Sequence, residues 1–165
     1  MIYYLSLGAN LGEREQTINQ AVSLLNSTLE EIEPYAGKAA GHVLARSDFY
    51  YSAPWGFDSE HEFCNLCIKL TSDLSPQRLL YITQDIEKAL GRTEKTTTDA
   101  NAQCRYHDRT IDIDILMAFD MPATSRDFPL FPVVVRSKRL TLPHPKMDER
   151  DFVKIPLSQI FPFSD

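Results

Sequence analysis

The chain has 165 residues, of which 43% are hydrophobic, so one domain over 1–165 with a sizeable core is expected. Its 23 acidic residues outnumber its 17 basic ones, and the net charge is −6 at pH 7. No continuous basic face or stripe of alternating aromatics favours nucleic acid as a partner. No stretch approaches the roughly 18 apolar residues that span a bilayer, so no membrane association is expected, and nothing in the pattern implies an obligate protein partner.

The first half of the chain predicts the order strand, helix, strand, strand. Residues 3–7 form a short apolar strand, and the absence of a basic region before it predicts no signal peptide and a cytoplasmic location. Strands are also predicted over 42–51 and 63–71, joined by a loop that begins at Ser52. Residues 13–29 have the spacing of an amphipathic helix, with an apolar stripe formed by Ile18, Val22, Leu25 and Leu29.

The second half predicts one further helix, one further strand and two irregular stretches. A serine–proline pair at 75–76 caps a helix that ends at Gly91. A long polar loop over 92–109 then leads into a strand over 110–117. A proline-containing insertion covers 120–138.

The order of these elements predicts the fold class. Strands and helices in the order β-α-β-β-α-β are typical of a ferredoxin-like α+β sandwich. The tail adds C-terminal elements to this pattern, among them a short helix around 147–152. We therefore expect an α+β sandwich with a C-terminal extension.

Two cysteines, Cys64 and Cys67, have the C-x-x-C spacing of some zinc and redox sites. Both fall in the predicted strand over 63–71, where positions three apart face opposite sides. We therefore expect cysteines that pack in the core rather than metal ligands or a redox pair.

The strand over 110–117 carries the most informative pattern in the chain. Polar and apolar residues alternate, which places Asp112 and Asp114 on one face with Thr110 and Leu116. Two neighbouring carboxylates on a rigid strand repel each other unless cations lie between them, and oxygen ligands suit Mg²⁺. The alternative is a solvent-facing edge strand with two surface acids. The opposite face of the strand is expected to carry Ile111, Ile113, Ile115 and Met117.

Basic residues surround this acidic pair, although the chain as a whole is acidic. Metal ions can neutralise some oxygens of a polyphosphate while guanidinium groups bind the others, so a polyphosphate is the expected ligand. The chain has no P-loop motif, and the glycine-spaced segment 8–12, which lacks a lysine, is interpreted as a strand-to-helix turn. The flanking basic residues are Lys88, Arg92, Lys95, Arg105 and Arg109 before the pair, and Arg136, Lys138, Arg139, His144, Lys146 and Arg150 after it.

Motifs spread along the chain together resemble a known family. The most specific combination is R-T-x-D-x-D at 109–114 followed by L-P-H at 142–144. On these motifs the chain is similar, nearly end to end, to the 6-hydroxymethyl-7,8-dihydropterin pyrophosphokinases of folate biosynthesis. The other matching segments are 5–12, 49–56, 63–65, Ile86-Glu87 with Gly91-Arg92, and Arg150 with Phe152.

The resemblance implies an enzyme that moves a diphosphate from ATP, its co-substrate, to the hydroxymethyl oxygen of the pterin and releases AMP. It implies two Mg²⁺ ions held by Asp112 and Asp114, which form the catalytic set together with Arg92 and Arg109. It implies ATP contacts from Gln84, Arg92, Arg109, Ile115, Arg139, Thr141, His144 and Arg150. It implies pterin contacts from Ser52, Ala53, Trp55, Phe63, Asn65 and Phe152, with the two phenylalanines stacked on either side of the ring.

Two positions and one loop depart from the family pattern. Glu94 stands where a second arginine is common, Tyr106 stands where tryptophan is usual, and the 92–109 loop is longer than in compact members. We predict that this loop is mobile in the free protein and closes over ATP as a lid, the alternative being a surface loop that never touches substrate. For the function, the alternatives are another D-x-D phosphotransferase and a ligand sensor without chemistry.

Overall fold

The structure is a computed structural model that describes residues 1–33, 42–92, 97–98, 104–105, 108–120 and 131–161. Of the lid predicted over 92–109, residues 93–96, 99–103 and 106–107 lie outside the described residues, as does 121–130 of the predicted insertion. No helix in the described parts of the chain is long and apolar enough to cross a membrane. In chain order the elements are β1 (Ile2–Ala9), α1 (Arg14–Ile32), β2 (Val43–Arg46), β3 (Tyr50–Ser52), β4 (Phe63–Thr71), α2 (Pro76–Ala89), β5 (Thr97–Thr98), β6 (Cys104–Arg105), β7 (Asp112–Asp120), β8 (Phe131–Pro132), β9 (Val135–Arg136), β10 (Thr141–Leu142) and α3 (Asp151–Ser158).

An antiparallel sheet forms the middle of the fold. Its strand order is β2, β4, β1, β7 and β8, and β3 also pairs with β4. β1 lies between β4 and β7 and is antiparallel to both. Two short antiparallel pairs, β9 with β10 and β5 with β6, stand apart from this sheet. The described chain is therefore α+β, which confirms the predicted class at this level.

The helices cover the two faces of the sheet. α1 and α2 pack on one face, over the larger core cluster. α3 packs on the other face, over a smaller cluster that includes Tyr4, Cys67, Met117, Val153 and Leu157. Burial of each large apolar side chain stabilises the fold by about 1.5–3 kcal/mol. The stripe predicted for α1 is confirmed at three of its four positions, since Ile18, Leu25 and Leu29 are fully buried and Val22 is partly buried.

The ends of α2 follow from its sequence. The Ser75 hydroxyl accepts a hydrogen bond from the Arg78 backbone N–H at 3.3 Å, and Pro76 occupies the first turn, where a missing N–H costs nothing. Gly91 follows the helix with φ 91°, a left-handed conformation that glycine adopts without steric cost. This turn leads directly to Arg92, whose side chain is buried.

The single strand predicted over 42–51 is wrong, because the structure has two strands there. Arg46 pairs with Ile68 and Tyr50 pairs with Asn65, so one strand advances four residues while β4 advances three. The Ser47 hydroxyl accepts a hydrogen bond from the Cys67 backbone N–H at 2.9 Å. An extra residue held in this way breaks the ladder and bends the strand.

The strict alternation predicted for 110–117 is also wrong at its far end. Tyr4 pairs with Met117 and Leu5 pairs with Ile115, so Leu116 is an extra residue opposite β1. Such a bulge shifts the following side chains to the other face of a strand. Met117 therefore packs in the smaller cluster under α3, whereas Ile113 and Ile115 remain under α1 and α2.

The C-terminal helix lies later than predicted. The expected helix around 147–152 is observed as α3, which begins at Asp151, after Arg150 in an extended conformation. The apolar residues Val153, Pro156 and Leu157 recur at helical spacing and are buried, so packing on the sheet fixes where the helix forms. The proline inside the helix is tolerated in this short element.

The C-x-x-C cysteines are confirmed as packing residues. Cys64 and Cys67 are free and buried on opposite faces of β4, one in each core cluster. Burial raises the pKa of Cys64 to about 11 and that of Cys67 to about 12, so both thiols stay protonated near neutral pH.

Candidate active site

An open cavity of about 220 Å³ lies at the end of the sheet where β1 ends and β4 and β7 begin. Gly8 of β1 pairs with Asn65 on one side and with Asp112 on the other. A Cβ atom at Gly8 would lie 3.0 Å from Asn65 Oδ1, so a larger residue here would push against the polar side chain that turns into the cavity. The antiparallel sheet thus brings together residues that are far apart in the sequence.

Most of the predicted site residues line this cavity. Those that do not are Gln84, Ile115, Arg139 and Thr141, all four of them expected around the nucleotide. Those that do are Ser52, Ala53, Trp55, Phe63, Asn65, Arg92, Arg109, Asp112, Asp114, His144, Arg150 and Phe152.

The acidic pair faces the cavity, as the alternation along β7 predicts. Asp112 and Asp114 are both half-buried, while Ile113 between them is fully buried on the face of the sheet that α1 and α2 cover. On the neighbouring strand Gly8 pairs with Asp112 and Ser6 with Asp114, so only small side chains stand beside the two carboxylates. Both acids are therefore accessible from the same space.

Two arginines hold Asp112. Arg92 donates from Nη1 to Asp112 Oδ1, to the Ile111 carbonyl at 3.1 Å and to Glu87 Oε1 at 2.8 Å. Arg109 donates from Nη1 to the second oxygen, Asp112 Oδ2. Burial alone would lower the pKa of Arg92, but the nearby Asp112 and Glu87 carboxylates outweigh it and hold that pKa above its ordinary value. The guanidinium of Arg92 is thus a permanently charged group fixed at the cavity wall.

Glu87 is a site residue that the sequence analysis did not assign. Its side chain is 3% exposed, and its Oε1 accepts hydrogen bonds from Arg92 and from the Ile113 backbone N–H at 2.7 Å. It therefore joins α2 to β7 and fixes the guanidinium of Arg92 beside Asp112. A signal existed, because an acid next to Ile86 on the apolar side of α2 needs a buried partner.

Asn10 is a second residue whose role the sequence did not reveal. It is 3% exposed, its Oδ1 accepts from the Arg109 backbone N–H at 2.7 Å, and its Nδ2 donates to Asp108 Oδ1 at 2.6 Å. Its own N–H donates to the Arg109 carbonyl at 3.2 Å. Hydrogen bonds from Ser59 and Asn10 hold the pKa of Asp108 below its ordinary value. The end of β1 therefore clamps the segment from which Arg109 reaches Asp112.

The wall opposite the acids is aromatic and amide-bearing. Asn65 donates from Nδ2 to the Ser52 hydroxyl at 3.0 Å and to the Tyr50 carbonyl at 3.2 Å, which fixes the amide in the cavity. Phe57, which the sequence analysis did not assign, meets Phe63 edge-on with ring centroids 6.1 Å apart. A flat heteroaromatic ligand suits this wall, because rings supply stacking area and amides supply polar recognition.

The chain after β10 brings two further nitrogen-bearing side chains to the cavity. His144 donates its backbone N–H to the Leu116 carbonyl at 2.8 Å, which ties this segment to β7. Arg150, the residue before α3, is 8% exposed and also lines the cavity. Histidine and arginine side chains at this position suit an anionic ligand.

The four residues outside the cavity lie in two different places. Ile115 is buried in the core under α1 and α2, so its side chain faces away from the cavity. Arg139 is exposed and donates to the Tyr81 hydroxyl of α2 at 3.2 Å, which places it beside the helix that carries Gln84. Thr141 is an exposed residue of β10, two positions after Arg139. Their predicted nucleotide contacts remain untested.

The acidic pair fits a magnesium site in which the protein supplies some of the ligands and the substrate supplies the others. In the described parts of the chain, no group of three or more His, Cys, Asp and Glu side chains could hold a metal by itself. Mg²⁺ is usually bound by one or two carboxylates together with substrate phosphates and water. Because each carboxylate oxygen has two lone pairs, the arginine contacts of Asp112 leave it acceptor capacity.

Comparison with known proteins gives a consistent result along the whole chain. The model of the family described as 7,8-dihydro-6-hydroxymethylpterin-pyrophosphokinase matches residues 4–162. A relative from Porphyromonas gingivalis is 44% identical over 162 residues, which are 98% of this chain and 92% of that one. Relatives from Bacillus subtilis (34% over 159 residues; 96% and 77% of the two chains) and Aquifex aeolicus (35% over 159 residues; 96% and 79%) are also similar. All three are named 2-amino-4-hydroxy-6-hydroxymethyldihydropteridine pyrophosphokinase.

Proposed function

This chain belongs to the 7,8-dihydro-6-hydroxymethylpterin-pyrophosphokinase family, and from that premise we propose that the cavity at the end of the sheet is its active site. The enzyme transfers a pyrophosphoryl group from ATP to 6-hydroxymethyl-7,8-dihydropterin in folate biosynthesis. The hydroxymethyl oxygen attacks the β-phosphorus, the bond from that phosphorus to the α–β bridging oxygen breaks, AMP leaves with that oxygen, and the hydroxyl proton is released.

One observation carries the assignment of the site. A pair of half-buried carboxylates on one strand, Asp112 and Asp114, shares a cavity with Arg92, Arg109 and Arg150. Negative charge alone would repel a triphosphate, and positive charge alone would leave no place for a cation. The combination suits a metal–polyphosphate complex.

We assign the catalytic roles to four residues. Asp112 and Asp114 would hold Mg²⁺, as two ions, and the bound metal would neutralise phosphate charge and align the transferred group. Arg92 and Arg109 are 4% and 12% exposed, so their charges are little screened by water and act strongly on phosphate oxygens. Both guanidinium groups are already oriented by Asp112, which reduces the ordering that substrate binding must provide.

The remaining nucleotide contacts extend away from the acidic pair. His144 and Arg150 line the cavity and are assigned to the phosphates. Gln84, Arg139, Thr141 and the backbone at Ile115 are assigned to the nucleoside. The contact of Arg139 with Tyr81 supports a binding surface between α2 and β10, beside the cavity.

The pterin is assigned to the aromatic wall. Phe63 and Phe152 would stack on its two faces, while Asn65 and Ser52 would bind its polar edge. Ala53 and Trp55 of the loop after β3 complete this part of the cavity. The fixed orientation of the Asn65 amide supports recognition of a particular ring system rather than any aromatic ligand.

We further propose that residues 1–165 form one domain of ferredoxin-like topology. The order β2, β4, β1, β7 in an antiparallel sheet, with α1 and α2 on one face, supports it. The expected cytoplasmic location and the absence of an obligate protein partner stay predictions.

The assignment is tested by product analysis of wild type and two matched variants. With ATP, Mg²⁺ and the hydroxymethyl pterin, wild type should form AMP and pterin diphosphate in equal amounts, measured by ³¹P NMR. Asp114→Asn should lose this activity, whereas Asp120→Asn, at the exposed far end of the same strand, should keep it. Equal activity of the two variants would contradict the site, and formation of ADP would contradict the reaction.

A further inference from the structure

The chain has one tryptophan, and it lies against two cations of the proposed phosphate side. The guanidinium carbon of Arg150 is 4.5 Å from the centroid of the Trp55 ring, and the Lys146 amino group is 5.5 Å from it. Arg150 also lies 5.7 Å from the Phe152 ring. A loop residue assigned to the pterin side therefore contacts a residue assigned to the ATP side.

The contact between Trp55 and Arg150 differs in kind from that between Asp112 and Arg92. A carboxylate neutralises the guanidinium that it orients, whereas an aromatic face attracts the cation through its quadrupole and leaves its charge in place. Tryptophan gives the strongest such interaction, and it strengthens where water is excluded. Arg150 is 8% exposed, so the contact lies in a largely desolvated place.

We propose that Trp55 is a positioning residue for Arg150 in nucleotide binding. Its ring holds the guanidinium at the cavity wall without itself neutralising the positive charge, and it attracts Lys146 to the same region. The inference rests on the proposed role of Arg150 as a phosphate contact. If Trp55 positions Arg150, nucleotide affinity should depend on Trp55 even when no pterin is present. If Trp55 only contacted the pterin, it would not.

The first test measures nucleotide affinity without pterin. Calorimetry of α,β-methylene ATP with Mg²⁺ suits this purpose, because the bond broken in the reaction cannot break in that analogue. Trp55→Leu keeps an apolar side chain but removes the ring, and should weaken binding about 3–30-fold, the range from an exposed to a desolvated cation–π interaction. Trp55→Phe keeps an aromatic face and should retain most of the affinity.

Tyr51→Leu is the matched control for loss of an aromatic ring. Tyr51 also carries an arginine over its ring, since Arg14 lies 5.6 Å from the centroid, but it is outside the cavity wall. This variant should bind the analogue as wild type does. Thermal unfolding of all variants separates loss of affinity from loss of folded protein.

The second test asks whether Trp55 acts through Arg150. In an Arg150→Ala background, Trp55→Leu should cause no further loss of analogue affinity, because interacting residues are not additive. Since Trp55 is the sole tryptophan, Arg150→Ala should also change the tryptophan emission spectrum, whereas Lys154→Ala on the exposed side of α3 should leave it unchanged.

Three results would overturn the proposal. The first is that Trp55→Leu binds the analogue with wild-type affinity. The second is that Trp55→Leu weakens analogue binding as much in the Arg150→Ala background as in the wild-type protein. The third is that Arg150→Ala leaves the tryptophan emission spectrum unchanged. If Trp55→Leu binds the analogue as wild type does but binds the pterin more weakly, Trp55 contacts the pterin and has no role in nucleotide binding. Failure of the proposed function itself is distinguishable, because it would appear as absence of AMP formation by wild type with both substrates.

Discussion

The two ends of the central sheet each carry a group of ionisable side chains that are buried or half-buried, and the two groups are built differently. The pocket cluster consists of Glu87, Arg92, Arg109, Asp112 and Asp114 at the end where β7 begins. The distal cluster consists of Glu33 and His42 at the opposite end, where β4 ends at Thr71.

The distal cluster is tied mainly to fixed parts of the chain. Glu33 Oε1 accepts from the Asp73 backbone N–H at 2.8 Å and from the Ser72 hydroxyl at 3.2 Å, and His42 Nδ1 is 2.8 Å from the Thr71 carbonyl. These contacts close the junction between α1, β2 and the end of β4. A group whose partners are the local backbone stabilises the fold and offers little to a ligand.

In the pocket cluster, charged side chains instead contact one another directly at the wall of an open cavity. Asp112 is shared by two arginines, and Asp114 stands beside it on the same face of the strand. Such an arrangement is held in place by the fold, and the metal and phosphates that we propose to bind there would complete it. The comparison teaches that burial of charge alone does not identify an active site, whereas charged groups that converge on accessible space do.

The largest expected difference between the clusters comes from Asp114→Asn. It should reduce turnover about a thousandfold, on the scale of lost electrostatic stabilisation of a transferring group. Stability should change little, because removing one of two neighbouring like charges relieves repulsion in the free enzyme. Steady-state kinetics and thermal unfolding check both statements, and wild-type turnover of this variant at saturating Mg²⁺ would remove Asp114 from the site.

Arg92→Met should reduce both stability and activity, because Arg92 pairs with a buried acid of the fold and also lines the proposed active site. It leaves the Glu87 carboxylate buried without its guanidinium, which should cost about 3–5 kcal/mol of unfolding free energy. Activity should be lost in the protein that remains folded. Urea unfolding measures the first effect, and recovery of stability in the Arg92→Met/Glu87→Leu double variant would show that the unpaired charge causes it.

Phe152→Ala tests the aromatic wall and should affect mainly one substrate. Pterin affinity should fall by about 1–3 kcal/mol, the scale of lost aromatic burial and stacking. Binding of α,β-methylene ATP should change little, since the phosphate contacts assigned to the acids and arginines remain and the Trp55 ring still lies 4.5 Å from Arg150. Calorimetry that shows equal losses for both ligands would point to a folding defect instead of a pterin contact.

Glu33→Gln gives the smallest expected effect and the opposite pattern to Asp114→Asn. Weakening of its charge-assisted hydrogen bonds should lower the unfolding free energy by about 1–2 kcal/mol. Turnover per folded molecule should equal that of wild type, because the distal cluster is at the other end of the sheet. A loss of turnover comparable to that of Asp114→Asn would show that the two clusters are coupled through the fold.

Local signals in the sequence predicted the acidic pair and the ends of α2, whereas the other site residues came from the family resemblance, and their roles stay predictions. Alternation placed Asp112 and Asp114 on one face, and the serine–proline cap and Gly91 fixed both ends of α2. Asn10 was missed because its partners, Arg109 and Asp108, are 99 and 98 residues away in the sequence, and pairing between distant segments has no local pattern. Glu87 carries a local signal as an acid on the apolar side of α2, but that signal does not identify its partners, Arg92 and the Ile113 backbone N–H.

The errors in the fold have the same origin. The bulge at Leu116 depends on how β7 pairs with β1, and the break between β2 and β3 depends on Ser47 binding the backbone of β4. The position of α3 follows from the packing of Val153 and Leu157 on the sheet rather than from a capping signal at its start. The periodicity of a sequence indicates which residues of a strand share a face. Pairing with the neighbouring strand determines where a bulge moves the following side chains to the other face.

The central claim, that the pocket cluster holds the metal–ATP complex, is tested most directly by locating the metal. Crystals grown with Mn²⁺ in place of Mg²⁺, α,β-methylene ATP and the hydroxymethyl pterin would give anomalous peaks at every bound metal ion. We expect peaks within coordination distance of both Asp112 and Asp114, with the pterin ring beside Phe152. Bound nucleotide with metal peaks away from both carboxylates would contradict the claim.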